Sequence, residues 1–273
     1  MPDIIRIDDP DDPRLAPYRQ IRERDLVGRD RRFIAEGRVV LNVLFGASRF
    51  AAESLLLLDA RLPGLSDLLA RAPAALPVYV ASQPVLDEIA GYHVHRGVLG
   101  VGKRTDGDDP EALLAALPER ALVLVLIGIS NHDNVGAIFR NAAAFEADAV
   151  LLDETSCDPL YRKAIRVSVG AALSVPFWRG GPAGALLGRL AGHGFDCLGL
   201  SPGGATDIAH VVPRERTALL LGSEGAGLPP DLLARLSTVR IGMSASFDSL
   251  NVATAAAIAL HRLWRGGRAG GAE

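Results

Sequence analysis

The feature that most constrains the fold is a set of short apolar runs in the second half of the chain. Continuous runs, without the alternation of a half-exposed strand, are typical of parallel strands covered on both faces. Segments with apolar residues at helical spacing separate them. These patterns predict an α/β unit with a parallel sheet over 119–265. Its expected strands are Leu122–Ile129, Ala149–Leu152, Cys197–Leu200, Ala218–Leu221 and Val239–Ile241.

Helices are expected between these strands and after the last one, because apolar positions recur there at helical spacing. The tail 266–273 is rich in glycine and is expected to be flexible. The helices that the pattern predicts are Val135–Phe145, Ala164–Ala172, Ala183–His193, Asp231–Leu236 and Asn251–Trp264.

The first half of the chain predicts a second, smaller α/β domain over 31–104. Residues 1–30 form an Arg-rich leader that is expected to be partly helical, and 105–118 is a linker with a short helix, Glu111–Leu117. The domain's expected elements are strands at Phe33–Gly37, Glu53–Leu58, Val78–Val80 and Val98–Val101, with helices at Val39–Phe45, Leu65–Leu69 and Pro84–Ala90.

Composition excludes several classes of protein. The net charge of −3 does not describe a globally basic nucleic-acid binder, so RNA binding requires a local basic patch. The candidate is Arg14–Arg38, where interleaved acids leave a plainly solvated face as an equal alternative. The longest apolar run, 121–129, is far shorter than the roughly 18 residues of a membrane helix. No signal peptide is expected, and two isolated cysteines, Cys157 and Cys197, suit the cytoplasm.

Three short motifs resemble functional sites but lack the context that those sites need. Gly97–Lys103 has phosphate-loop spacing, yet Arg104 follows where Ser or Thr would bind magnesium, so a strand end is favoured. Gly199–Gly203 matches a nucleophile elbow centred on Ser201, but a loop follows it instead of a helix. His93 and His95 have metal-like spacing on a strand without further ligands, and no metal site is predicted.

Three blocks of the second unit place polar and glycine residues directly after apolar runs. They are Asn131–Asn141, Leu221–Leu228 and Ser249–Ala253. The ends of parallel strands are where α/β proteins build their ligand sites. Asp133 or Asn134 can cap the first helix, and Ser249 or Asn251 the last.

The side chains of the first two blocks constrain the site further. Arg140 is six residues past Asn134, about 240° around a helix, so the two do not share a face. If the two residues serve one site, that site lies around the start of the helix or across a subunit interface. Glu224 stands between glycines in a loop that does not require an acid.

In this order and spacing, the blocks resemble the signature motifs of the SpoU (TrmH-like) family of RNA ribose 2′-O-methyltransferases, in the SPOUT superfamily. The resemblance implies a C-terminal domain with a trefoil knot, which the residue pattern alone does not predict. It also implies S-adenosylmethionine as cofactor, ribosomal or transfer RNA as substrate, and a homodimer. Less specifically, Phe33–Gly37 and His95–Val98 resemble the family's substrate-binding domain, which is similar to ribosomal protein L30e.

The resemblance also implies roles for individual residues. The functional side chains are Asn134, Arg140, Glu224, Ser249 and Asn251, and the cofactor contacts are Leu221, Gly222, Gly227, Ile241, Met243 and Leu250. One departure is Glu146, where many members have glycine at the helix end. Two alternatives stay open: a non-catalytic RNA-binding relative of the same fold, and an α/β hydrolase that uses Ser201.

Overall fold

The computed structural model describes residues 2–19, 23–91, 94, 96–105, 109–244 and 246–266. The candidate metal pair His93 and His95 and the tail beyond Gly266 lie outside these residues. The chain forms two compact units. The first comprises Met1–Gly107 and Pro159–Ser174, and the second comprises Asp108–Asp158 and Val175–Glu273.

A five-stranded mixed sheet forms the centre of the first unit, in the order β1-β4-β3-β5-β2. Strand β4 pairs in parallel with β1 and β3, whereas β5 pairs antiparallel with β2 and β3. The strands are β1 (Ile4–Ile7), β2 (Arg32–Glu36), β3 (Ala51–Leu58), β4 (Val78–Ala81) and β5 (Val98–Lys103), and the helices between them are α1 (Glu23–Gly28), α2 (Arg38–Phe45), α3 (Ser66–Arg71) and α4 (Gln83–Ala90).

The predicted separation of residues 1–30 as a leader is wrong. Ile4–Ile7 is an edge strand of the sheet, and a 3₁₀ helix, Pro13–Tyr18, packs its apolar side chains into the core. Tyr18 is fully buried and its hydroxyl lies 2.8 Å from the hydroxyl of Ser54. Polar residues surround the short apolar stretch on both sides, which is why composition alone describes a leader.

Five arginines of the predicted basic patch form ion pairs with acidic residues of this unit, so acids offset part of its positive charge. The described pairs join Arg14 to Asp12, Arg19 to Asp11, Arg29 to Asp25, Arg32 to Glu53, and Arg38 to Asp67.

The second unit contains a seven-stranded sheet in the order β10-β12-β9-β11-β6-β7-β8, with every neighbouring pair parallel. All five predicted strands are present, and the short β8 and β10 add to them. The strands are β6 (Ala121–Leu126), β7 (Ala149–Leu152), β8 (Phe177–Arg179), β9 (Asp196–Leu200), β10 (Thr206–Asp207), β11 (Arg216–Leu221) and β12 (Ser237–Arg240).

Helices cover this sheet close to the predicted positions. One difference is the helix predicted at Asp231–Leu236, which ends after a single turn at Leu233. In the described part of the chain, no helix is both long and apolar enough to span a membrane. The helices of this unit are α5 (Pro110–Ala115), α6 (His132–Ala144), α9 (Ala183–Gly192), α10 (Pro230–Leu233) and α11 (Val252–Leu263).

The helix predicted at Ala164–Ala172 is two helices, α7 (Arg162–Val167) and α8 (Ala171–Ser174). Val169 and Gly170 separate them with φ angles of 56° and 89°. A left-handed backbone cannot continue a right-handed helix, and β-branched Val169 rarely adopts it. This segment groups with the first unit, where α7 packs on β2, although it was predicted within 119–265.

The sheet order of the second unit contains one unusual crossing. Strand β10 belongs to the connection from β9 to β11, yet β12 lies between β9 and β10. The two chain segments touch there: a Cβ atom on Gly204 would lie 2.3 Å from the carbonyl carbon of Val239. Arg240 Nη1 donates to the carbonyl oxygens of Gly204 at 2.7 Å and Ala205 at 2.8 Å.

Candidate functional site

A cavity of about 540 Å³ lies in the second unit, lined by the chain segments that follow β9, β11 and β12. Its size suits a small organic ligand, since such sites typically measure about 300–1,000 Å³. All six residues that the sequence assigned to the cofactor line it, together with Glu224, Ser249 and Asn251. The full lining is Leu200–Pro202, Leu221–Leu228, Leu233, Ile241, Met243, Asp248–Val252 and Ala255.

Close main-chain packing shapes the wall of the cavity after β11. A Cβ atom on Gly222 would lie 2.1 Å from the carbonyl carbon of Gly227, so any side chain there would displace the backbone. Gly227 donates its N–H to the carbonyl of Ser223 at 3.0 Å and has a φ of 70°. The glycines therefore close a tight turn that presents Glu224 at its tip.

A chain of side-chain hydrogen bonds joins the three motif blocks. Asn134 Nδ2 donates to Glu224 Oε1 at 2.6 Å, and Asn251 Nδ2 donates to Asn134 Oδ1 at 2.9 Å. The Oδ1 of Asn251 accepts the N–H groups of Ala253 and Thr254, which caps α11 as predicted. Asn251 therefore serves as helix cap and site residue together.

The predicted cap of α6 is wrong. Asn131 caps this helix by accepting the N–H of Asp133 at 2.8 Å, so the helix begins at His132, three residues before the expected Val135. Asn134 lies inside the first turn, 7% exposed. The earlier start releases its amide from capping and allows it to bridge Glu224 and Asn251.

Arg140 is separated from the hydrogen-bonded chain, as the helical geometry predicts. Its side chain is exposed and does not line the cavity, whereas Asn134 is buried on another face of α6. Its neighbour Asn141, which the sequence analysis did not single out, donates from Nδ2 to the carbonyl of Ala253 at 2.8 Å. That bond ties α6 to the first turn of α11.

A buried polar network beneath the start of α6 was missed from the sequence. Asp153, 4% exposed, accepts from the N–H of Gly128 at 3.0 Å and from the hydroxyl of Ser156 at 2.6 Å. Ser156 Oγ in turn accepts the N–H of Ile129 at 3.0 Å. The network fixes the turn that leads from β6 into the first block. Only the acidic residue after β7 signals it in the sequence.

The remaining candidates have structural explanations. Cys157 N–H donates to the carbonyl of Ile129, and burial raises the pKa of its thiol to about 12, so it is not a thiolate nucleophile. Ser201 lines the cavity, but a turn follows it, so it is not a nucleophile elbow. Gly97–Lys103 is the segment that forms β5, so its last residue is a strand end, as expected. Among the described residues, no three His, Cys, Asp or Glu could hold a metal ion.

Comparison with known sequences points to one family. The sequence profile described as the SpoU rRNA Methylase family matches residues 121–261. An uncharacterized tRNA/rRNA methyltransferase of Mycobacterium bovis is 42% identical over 276 aligned residues, covering 97% of this chain and 93% of that protein. The profile match spans all three motif blocks and every residue that lines the cavity.

Solved structures share the fold over nearly the whole chain. A crystal structure of an RNA 2′-O ribose methyltransferase has a TM-score of 0.75 and 25% identity, covering 96% of this chain and 98% of that chain. The SpoU methyltransferase AviRb from Streptomyces viridochromogenes, in complex with the cofactor AdoMet, has a TM-score of 0.78 and 23% identity. It covers 93% of this chain and 97% of that chain.

Proposed function

Because the chain belongs to the SpoU rRNA methylase family, we propose that it transfers a methyl group from S-adenosylmethionine to a ribose 2′-hydroxyl of ribosomal or transfer RNA. The observation that carries this proposal is the Asn251–Asn134–Glu224 hydrogen-bonded chain beside a cavity of cofactor size. Polar residues from all three blocks converge there. A relative that kept only the fold would not need this arrangement.

The residues around the cavity fit the cofactor. Crowding at Gly222 excludes a side chain, so main-chain groups of the turn after β11 can reach a ligand directly. Ile241, Met243 and Leu250 offer apolar surface for an adenine ring. In this proposal, Leu221, Gly222 and Gly227 complete the cofactor contacts. The bound cofactor supplies a methyl group already activated on a sulfonium, so the protein's task is alignment and proton removal.

Different side chains would align the ribose and bind the RNA. Asn134, held from both sides, fixes Glu224 and Asn251, and Ser249 faces the same cavity. These groups orient the ribose hydroxyl. Arg140 binds the adjoining phosphate, because a guanidinium group suits a two-pronged contact with phosphate oxygens. The hydroxyl proton leaves late in the transfer, to water.

A homodimer would bring Arg140 to the site. Asn134 and Arg140 lie on different faces of α6, so a second copy can place its arginine against the RNA phosphate that adjoins the site of the first. Exposed apolar side chains of the second unit support such an interface. Among them Phe247 is 71% exposed, Ile258 40% and Met243 38%.

The proposed trefoil knot rests on the strand order of the second unit. Strand β10 is part of the connection between β9 and β11, and β12 lies between β9 and β10, so this connection extends past β12. In this proposal β12 passes through it. The chain segments that follow β9, β11 and β12 leave this crossing and form the walls of the cavity. We assign substrate recognition to the first unit, as an L30e-like domain.

The proposed reaction is tested with purified protein, labelled S-adenosylmethionine and total bacterial RNA, followed by digestion of the RNA to nucleosides. Label in a 2′-O-methylnucleoside supports the proposal and names the base. Label in a methylated base alone contradicts the ribose assignment. Cofactor binding without label, repeated with ribosomal particles and precursor RNA, favours the non-catalytic relative. A serine-reactive fluorophosphonate probe tests the hydrolase alternative, and we expect no labelling of Ser201.

A further inference from the structure

The ionisable side chains that line the cavity are all acidic. Of the described lining residues, only Glu224 and Asp248 can carry charge, and no Lys, Arg or His lines the cavity. Glu224 accepts a hydrogen bond from the neutral amide of Asn134, and it forms no ion pair with any residue in the part of the chain that the structure describes. Asp248 is exposed and forms no ion pair with a described residue. The cavity therefore carries two formal negative charges.

The arginine that directly precedes the lining residue Ile241 is directed away from the cavity. Arg240 does not line the cavity, and its Nη1 donates to the carbonyls of Gly204 and Ala205. The N-terminus of α11 adds a partial positive charge. Its N–H groups at 253 and 254 already bond to the Oδ1 of Asn251. The field inside the cavity thus favours cations.

Building on the proposed function, we propose that Glu224 and Asp248 make the cavity select its ligand by charge, and that Asp248 is a specificity-determining residue. During transfer the S–CH₃ bond breaks and an O–CH₃ bond forms. The electron pair of the S–C bond stays on sulfur, and the hydroxyl proton goes to solvent. The sulfonium becomes a neutral thioether, so the product S-adenosylhomocysteine loses the charge that the two carboxylates favour.

The test measures dissociation constants of the full chain by calorimetry for three ligands. They are S-adenosylmethionine, S-adenosylhomocysteine and sinefungin, which carries an ammonium group in place of the sulfonium. We expect the unaltered chain to bind both cationic ligands more tightly than the thioether. High salt should reduce this preference, because Asp248 is exposed to screening.

Asp248→Asn changes the charge of one cavity side chain with little change in its size. It should weaken binding of both cationic ligands by about three- to tenfold, the effect of one partly screened charge, and leave thioether binding unchanged. Asp231→Asn is the matched control, since this exposed carboxylate belongs to α10 and does not line the cavity. It should leave all three constants unchanged.

Two results overturn the proposal: equal weakening of all three ligands by Asp248→Asn, or an unchanged preference in a folded variant. Charge-selective binding with no methylated RNA would contradict the proposed reaction and leave this inference standing. If none of the three ligands binds the unaltered chain, both proposals fail.

Discussion

Asn134 and Glu224 are 90 positions apart in the chain, yet a hydrogen bond of 2.6 Å joins their side chains. Asn134 is buried inside α6, so its amide has one orientation in which Nδ2 meets Glu224 and Oδ1 meets Asn251. The bond to Glu224 is the stronger kind, because its acceptor is a carboxylate. The position of Glu224 beside the cavity therefore depends on a residue of another block.

Replacing Asn134 with alanine should remove both bonds and leave Glu224 without its amide donor. We expect the free energy of unfolding to fall by about 1.5–3 kcal/mol, as for hydrogen bonds to charged groups, and methyl transfer to slow by more than tenfold. Urea denaturation and single-turnover rates measure the two effects. Asn42→Ala, at a surface amide that accepts from Arg71 outside the proposed site, is the control. A rate equal to that of the control would contradict the proposed role.

Arg140→Ala should abolish turnover while cofactor binding remains, because Arg140 does not line the cavity. Affinity for RNA should weaken, and the slope of log K against log salt should become shallower by about one when a phosphate contact is lost. Calorimetry with the cofactor and filter binding with RNA at several salt concentrations separate these effects. Equal loss of cofactor binding would contradict the assignment of Arg140 to phosphate.

Arg240→Ala should loosen the crossing of β12 with the segment after β9, because two donor contacts to main-chain carbonyls are lost. Ile241, the next residue, lines the cavity, so we expect the cofactor dissociation constant to rise about tenfold, equivalent to roughly 1.4 kcal/mol. Arg240→Lys should restore part of this loss, and Arg235→Ala should have no effect. Unchanged cofactor affinity would show that the contacts do not shape the cavity.

Glu146 occupies the left-handed region with a φ of 52°, at a position where glycine is favoured. Its carboxylate accepts the indole N–H of Trp264 at 2.9 Å. Glu146→Gly loses this bond but removes the backbone strain, whereas Glu146→Ala loses the bond and keeps the strain. We expect the glycine variant to be more stable than the alanine variant by about 1 kcal/mol. Urea unfolding of both variants checks the order, and the reverse order would contradict this account.

Burial raises the pKa of Cys157 to about 12 and that of Cys197 to about 11. Both thiols should therefore react with iodoacetamide at pH 8 much more slowly in the folded protein than in urea. The raised pKa values also make stability depend on pH. The contribution is complete below about pH 8.5, where unfolded thiols are protonated, and is lost as pH rises towards 11–12. Mass spectrometry of the alkylated chain follows each cysteine, and equal rates in both states would contradict burial.

The apolar pattern predicts the sheet of the second unit well, because buried parallel strands leave a continuous signal. Ala149–Leu152 is found with the predicted bounds. The same reasoning fails for β1, whose four residues are hidden by polar neighbours, and for β8, which has only three. Strand length decides whether periodicity can be recognised.

The site could be predicted only as a set of residues. The family resemblance named several of the residues that line the cavity. The pattern offered Asp133 or Asn134 as the cap of α6, because it set the start of this helix three residues late. The bonds among Asp153, Ser156 and Gly128 depend on tertiary contacts that no local pattern encodes. The position of β12 in the sheet also cannot be predicted from hydrophobicity, since a different order of the strands would bury the same side chains.

The place of β12 between β9 and β10 has a consequence for biosynthesis. A ribosome makes β9, β10 and β11 before β12, so the emerging chain must leave open, or reopen, a gap for a strand that does not yet exist. Insertion of that strand is then a late and slow event, since non-local pairing delays folding. The wall that carries Ile241 and Leu250 can be completed only after β12 and the segment that follows it have been made.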